Sequence, residues 1–247
     1  MVAAFTWHIP ASSDLLERAV LRPGEVGICR FGRRFEPDIT FKPKSFHVYG
    51  PVECSVEPKS ARLRCVSEEG AETIQLEPDP ASKGYGIPGW RPVRPMRELY
   101  PGEHCDVIVR NAGSSDVAAG VVIVCGTATH EHFFGGTASA RPIRAPDYRF
   151  ERDSDGYLRV GDRFPCACRI QEITIRSNSQ QDIFLKDMRI GDMGLIVGGD
   201  IPVEFFRDGV ALNWVGPALP CQTFTLCAMT VATEMRWIEV DLKLGEP

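Results

Sequence analysis

The sequence predicts an all-β protein built from two tandem β-sandwich domains of jelly-roll type, with a short N-terminal helix. Its 19 prolines and 23 glycines fall at short intervals, and the runs between them are short and rich in Val, Ile, Phe and Thr. That spacing is typical of β-sandwiches and barrels. Segments of the first half also recur in the second, which predicts two domains of similar fold within 247 residues.

The recurrence involves short paired segments. LRPGE from Leu21 returns as LRVGD from Leu158, and LYPGEHCDVIVRNAG returns as ALPCQTFTLCAM, which aligns Cys105 with Cys221. The separation between matched positions shrinks along the chain, as expected if the second copy has shorter loops. We therefore expect the two halves to superpose with Leu21 on Leu158 and Cys105 on Cys221. The predicted division is a first β domain over 1–126, a linker over 127–155 and a second β domain over 156–247.

A capping pattern predicts the helix, over Asp14–Leu21. Asp14 is a suitable N-cap, Glu17 stands at capping-box spacing from it, and the Pro-Gly pair at positions 23 and 24 ends the helix. The rest of the first half is predicted to form strands at Val26–Phe31, Ile39–Phe41, Ser45–Tyr49, Glu53–Val56, Arg62–Val66, Thr73–Leu76, Cys105–Arg110 and Val117–Cys125.

Between the last strands of the first half, Glu77–Leu99 contains PDP, GYGIPGW and RPVRP. This segment is too rich in proline and glycine for regular structure, so we expect a long surface loop. Long loops in compact domains are usually functional or make contacts.

The second half is predicted to form eight strands. The clearest is the last, where Ile238, Val240 and Leu242 alternate with charged residues, so that one face lies in a core and the other in solvent. The predicted strands are Leu158–Val160, Ile170–Arg176, Asp182–Ile190, Leu195–Val197, Val203–Phe206, Ala211–Val215, Phe224–Val231 and Arg236–Leu244.

Composition bounds the function. The net charge is −5 and no long run of Lys or Arg occurs, which argues against specific nucleic-acid binding. No apolar stretch approaches the roughly 20 residues of a membrane-spanning helix, and the N-terminus lacks a signal-peptide pattern. The nine cysteines are an odd number in mostly apolar contexts, so we expect reduced thiols in a cytoplasmic setting.

His130 and His132 form a candidate metal site. Two imidazoles two residues apart on a strand share a face and can chelate one ion. A cupin site also needs a downstream acidic residue and a later histidine, and neither follows His132. We therefore predict no metal, no cofactor and no catalysis, with a bicupin-like metal-binding protein or enzyme as the alternative.

The Pro-rich segment carries the candidate interface. Aromatic side chains mixed with arginines favour a protein–protein contact. We expect Trp90 to contact a neighbouring subunit or the adjacent domain. A carbohydrate-binding β-sandwich, with Tyr85, Trp90 and Trp214 as stacking residues, is a further alternative. The candidate interface residues are Tyr85, Trp90, Arg91, Arg94 and Arg97.

These features together resemble the double jelly-roll major capsid proteins of tailless icosahedral bacteriophages of tectivirus and corticovirus type. The paired segments LRPGE/LRVGD and CDVIV/CQTFT and the run IFLKDMRIGDMGLIVGGDIPVEFF support the resemblance, which covers most of the chain. It implies a structural virion protein, made in the host cytoplasm, that forms homotrimeric, pseudo-hexameric capsomers. It also implies contacts with other virion proteins and with an internal membrane. The family has no catalytic residues to carry over.

Overall fold

The computed structural model of the chain describes residues 2–9, 20–31, 42–50, 62–67, 70–79, 85, 87–96, 98–100, 104–126, 131–137, 157–160, 164, 166–179, 183–197, 201–212, 218–230 and 236–246. These residues form twenty strands and a 3₁₀ helix at Val203–Phe206, with no α-helix in this part of the chain. The prediction of an all-β protein is confirmed.

The strands of the first half and its extension are β1 (Val2–Ile9), β2 (Val20–Leu21), β3 (Val26–Phe31), β4 (Lys42–Tyr49), β5 (Arg62–Ser67), β6 (Gly70–Pro78), β7 (Gly89–Pro92), β8 (His104–Arg110), β9 (Val117–Ala118), β10 (Gly120–Gly126) and β11 (Glu131–Thr137). Those of the second half are β12 (Tyr157–Val160), β13 (Arg169–Ser177), β14 (Ile183–Ile190), β15 (Met193–Gly194), β16 (Ile196–Val197), β17 (Ile201–Pro202), β18 (Val210–Ala211), β19 (Phe224–Thr230) and β20 (Arg236–Gly245).

The strands pair into four sheets. The order is β1-β20-β13-β18 in a four-stranded sheet and β12-β19-β14-β15 in a second sheet, where β17 also pairs with β14. A nine-stranded sheet has the order β16-β11-β10-β4-β7-β6-β5-β8-β3, and β2 pairs with β9. The long strand β6 joins the two parts of the nine-stranded sheet, because it pairs with β5 at its start and with β7 at its end.

The same antiparallel pairings occur in both halves. In the first half they are β3–β8, β5–β8, β5–β6, β4–β7, β4–β10 and β10–β11. In the second half they are β12–β19, β14–β19, β14–β15, β13–β18, β13–β20 and β20–β1. The strand that completes the second set, β1, comes from the other end of the chain.

The ladder register also repeats. In each half, one residue of a central strand has an arginine as its Cα partner on both neighbouring strands. The matched rows of Cα partners are Arg30–Asp106–Arg64 and Arg159–Thr225–Arg189. The predicted residue matches differ from this correspondence: Leu158 lies on β12, the counterpart of β3, whereas Leu21 lies on β2. Cys105 lies within β8, whereas Cys221 lies in a turn before β19 with a left-handed φ of 68°.

Two hydrophobic cores form, and β10 lies between them. Val121, Ile123 and Cys125 pack into a first core made by the first half. Val122 and Val124 pack into a second core that is made mostly by the second half. A strand buried on both faces has a continuous apolar sequence, as GVVIVCG does. The halves are joined further by β16, which pairs in parallel with β11.

Several predicted strands are found almost as predicted, including Val26–Phe31, which matches β3, and Cys105–Arg110, which is β8 without its first residue. The predicted strand Val203–Phe206 is wrong, because these residues form the 3₁₀ helix. A short apolar run does not distinguish a buried strand from a buried helical turn. The predicted strands Ile39–Phe41 and Glu53–Val56 lie outside the described residues.

The remaining corrections concern segments predicted to be irregular or helical. The supposed loop Glu77–Leu99 contains β7, which pairs with both β4 and β6. Its proline at position 92 ends the strand, where the missing N–H is tolerated. The supposed linker 127–155 contains β11, and its residues 127–130 and 138–155 lie outside the described residues. The predicted helix Asp14–Leu21 ends in strand β2, and its residues 14–19 also lie outside.

Candidate functional site

The two halves meet at a group of rings that we call the aromatic junction. The 3₁₀ helix supplies two of them, and strands β4 and β11 and the segment before β7 supply the others. The members are His47, Tyr85, Phe133, Phe205 and Phe206. All except the half-buried Tyr85 are buried.

The local sequence explains how the 3₁₀ helix reaches the junction. Ile201 pairs with Leu185 of β14, so the chain enters the helix from the edge of a sheet. Pro202 precedes the helix with φ −63°, a value suited to the start of a helical turn. Gly209, with φ 85°, then reverses the chain into β18. The short helix therefore holds Phe205 and Phe206 against the first half.

The rings pack in specific geometries. Tyr85 stacks on Phe205 with centroids 5.1 Å apart and an interplanar angle of 6°. His47 meets both rings edge-on, at 4.9 Å from Tyr85 and 5.1 Å from Phe205. Phe133 meets Phe205 and Phe206 at 5.6 Å each. Such pairs contribute about 0.5–1.5 kcal/mol each beyond their buried area, so the junction joins the halves firmly.

His47 is the polar centre of the junction. Its side chain is fully buried, and its Nδ1 lies 3.3 Å from the carbonyl oxygen of Ile87. A carbonyl only accepts, so Nδ1 carries the proton and Nε2 accepts from the Ser45 hydroxyl at 3.0 Å. Burial lowers the pKa of His47 to about 4, against opposing contributions from the Ile87 hydrogen bond and the charge of Asp79. The imidazole is therefore neutral at physiological pH.

The Ser45 hydroxyl and the His47 imidazole are the groups of a nucleophile and a general base, but their burial gives the pair a structural role. Ser45 is 7% exposed and His47 is 0% exposed, so no substrate reaches the hydroxyl without disruption of the junction. The pair satisfies two polar groups inside an aromatic contact, where an unpaired group is costly.

A second buried polar group lies on β14. The β14–β19 register shifts between Leu185 and Asp187, and the Asp187 carboxylate accepts from Arg189 Nε at 2.5 Å. Burial raises the pKa of Asp187, and the adjacent guanidinium opposes that shift. Across the ladder, burial raises the pKa of Cys227 to about 11. This thiol is protonated at neutral pH, which makes it a poor nucleophile and a poor metal ligand.

The candidate interface residues are divided among different environments. Tyr85 belongs to the aromatic junction, and Trp90 lies half-buried on β7 against the first core. Arg91 forms an ion pair with Glu77 of β6 at 2.9 Å, with both side chains exposed. Arg94 is exposed and follows β7, whereas Arg97 lies outside the described residues. Tyr85 thus contacts the other half of the chain, the kind of contact that was expected of Trp90.

Only one of the two candidate metal ligands lies in the part of the chain that the structure describes. His130 lies outside it, and His132 lies on β11 opposite Cys125 in the ladder. Among the described residues, no group of three His, Cys, Asp or Glu side chains is arranged to hold an ion. Trp214 also lies outside the described residues.

Local sequence patterns do not predict which rings meet at the junction. His47 and Ser45 lie two residues apart on a predicted strand, which places them on one face. The rings that contact His47, those of Tyr85 and Phe205, come from distant segments of the sequence, and only the fold brings them together. The pair FF in VEFF was the available signal of a buried aromatic contact.

Comparison with protein-family models gives no match, and comparison with curated proteins gives none either. In the residues that the structure describes, no helix is long and apolar enough to cross a membrane. The basis for a function is therefore the fold and chemistry of this chain.

Proposed function

We propose that this protein is a double jelly-roll capsid subunit, and the repeated set of strand pairings carries the proposal. A jelly roll has eight strands, lettered B to I, in sheets of order B-I-D-G and C-H-E-F. The second half fits with β1-β20-β13-β18 as the first sheet and β12-β19-β14-β15 as the second. The first half fits with β11-β10-β4-β7 and β3-β8-β5-β6.

In this assignment each sandwich receives its strand B from the other repeat. Strand β1 precedes the strands of the first sandwich but pairs with β20 and completes the second sandwich. Strand β11 lies between the strands of the two sandwiches and pairs with β10, so it completes the first sandwich. Two equivalent units are thereby tied together at their edges as well as through the aromatic junction. A rigid pair of upright sandwiches is the building block from which such capsomers are made.

Surface chemistry supports self-association. Large apolar side chains are exposed at several places, namely Val26, Val93, Tyr100, Ile108 and Leu219. Val93 lies among the candidate interface residues and Tyr100 follows them, and each is 54% exposed. Contiguous exposed apolar patches are commonly buried when subunits assemble. We propose that the segment from Trp90 to Tyr100 makes a subunit contact, in which Val93, Arg94 and Tyr100 join Trp90.

The proposed partners are further copies of this chain, other virion proteins and an internal membrane, and the proposed location is the virion. The protein acts by assembly and not by catalysis. The buried, protonated state of Cys227 and the enclosed Ser45–His47 pair support this, because each would need exposure to react.

Light scattering coupled to size exclusion tests the proposal. We expect the mass of a trimer or of a larger particle, persisting on dilution. A sharp monomer peak at every concentration and salt condition would exclude a capsid role. Tyr100→Ser should shift the trimer towards monomer, whereas Glu246→Ser, a substitution at another exposed position, serves as the matched control.

A further inference from the structure

Strand β1 pairs with β20 along its whole length. The antiparallel register runs from Val2 opposite Lys243 to Ile9 opposite Arg236. Strand β20 is the main element that β1 contacts, with few contacts to β19. The attachment of β1 is therefore mainly the backbone ladder with one strand edge.

The acceptor edge on β20 has the features of a strand-binding site. Ile238, Val240 and Leu242 point into the second core and are almost fully buried, while Glu239 and Asp241 face outward. On its other side β20 is held by β13. Without β1, one edge of β20 would present a row of unpaired N–H and C=O groups, which readily accept another strand.

The fold already exchanges equivalent strands between equivalent units. Strand β1 belongs to the first set of pairings by its place in the chain but completes the second set, and β11 completes the first. Equivalent units in separate copies of the chain present the same edge and the same strand. An exchange between copies would preserve every ladder bond and the register of residues 2–9.

We propose that the edge of β20 is a binding site for the β1 segment of a second copy of this chain. Residues 10–19 connect β1 to β2, and ten residues can span at most about 33–36 Å. Exchange of an identical element is a low-cost route to association. Neighbouring subunits also raise the local concentration of the strand. The inference rests on the proposed self-assembly and names one contact within it.

Engineered disulfides in the full chain test the exchange. Ala4 and Asp241 are Cα partners, as are Thr6 and Glu239, and directly opposed antiparallel positions lie within disulfide range. The double variants Ala4→Cys with Asp241→Cys, and Thr6→Cys with Glu239→Cys, are assembled and then oxidised with diamide. Each of the four single variants is treated in parallel, because Cys166 and Cys221 are exposed thiols that give a background.

We expect the double variants to give chains linked to one another, seen as multiples of the chain mass on a denaturing gel without reductant and lost on reduction. The single variants should stay largely at the mass of one chain. Links found only within chains, in both double variants, would overturn the exchange. Failure of both pairs to link at all would contradict the β1–β20 ladder and overturn it as well.

Light scattering on the same samples separates this inference from the proposed function. Trimers or shells with links only within chains would leave the capsid proposal standing and remove the exchange. Linked dimers that never form larger species would support the exchange and contradict the capsid proposal.

Discussion

Acidification should weaken the junction between the halves through a single side chain, His47. Burial lowers its folded-state pKa from 6.5 to about 4. The unfolded chain therefore binds a proton at a higher pH than the folded chain does. The stability contributed by the neutral imidazole is complete above pH 6.5 and is lost as the pH falls from 6.5 towards 4. A shift of this size means that the contribution of His47 to the unfolding free energy falls by about 3 kcal/mol across that pH window.

Urea unfolding at a series of pH values, followed by tryptophan fluorescence, measures this loss. The comparison is with His47→Phe, which keeps a ring of similar size but cannot titrate. Between pH 7 and pH 4.5, we expect the wild-type protein to lose about 2–3 kcal/mol more stability than the variant. Asp187 and the other carboxyl groups titrate in both proteins, so their contribution cancels in the difference.

Ser45→Ala is the matched control, because it removes the hydroxyl that Nε2 accepts from and leaves the buried imidazole. It should lower stability by about 1 kcal/mol at neutral pH and retain the wild-type pH dependence. Parallel stability curves for wild type and His47→Phe across this pH range would refute the reasoning. They would mean that His47 is protonated in the folded protein or is exposed to solvent.

Further substitutions separate the junction from the surface. Phe205→Ala should lower the unfolding free energy by about 3–5 kcal/mol, because it removes a buried ring. Denaturant unfolding measures this loss, and a variant as stable as the wild type would contradict the packing of Phe205. Tyr100→Ser should leave the unfolding free energy within about 0.5 kcal/mol while reducing assembly in sizing experiments. A thiol reagent should modify the exposed Cys166 in the native protein. Cys125 is buried, and burial raises its pKa, so it should react only after unfolding. Rapid modification of Cys125 in the native protein would contradict its burial. Elemental analysis should give no stoichiometric metal, and one equivalent of metal lost in His130→Ala would favour the cupin alternative.

Much of the strand content was predictable because local patterns determine it. In β20 the alternation of apolar and charged residues fixes both the strand and its buried face. Val26–Phe31 was bounded by turn residues on its N-terminal side, and Gly24 adopts the left-handed φ of 77° that such a turn requires. These signals lie within a few residues of the strand that they define.

The elements that were missed depend on distant partners. Strand β1 is a strand because β20, at the far end of the sequence, offers it an edge. Strand β7 forms in a Pro-rich segment because β4 and β6 pair with it on both sides. The aromatic junction likewise joins rings from four separate segments. Local composition carries no information about such partners. Pairing with distant strands can therefore override the secondary structure that the local sequence favours.

Electron microscopy of the purified, assembled protein tests the central claim most directly. If the chain is a double jelly-roll capsid subunit, averaged images should show trimers with a pseudo-hexagonal outline, in which six similar lobes of density correspond to two sandwiches from each of three chains. Compact single-chain particles, or oligomers whose chains each contribute one lobe, would contradict the claim.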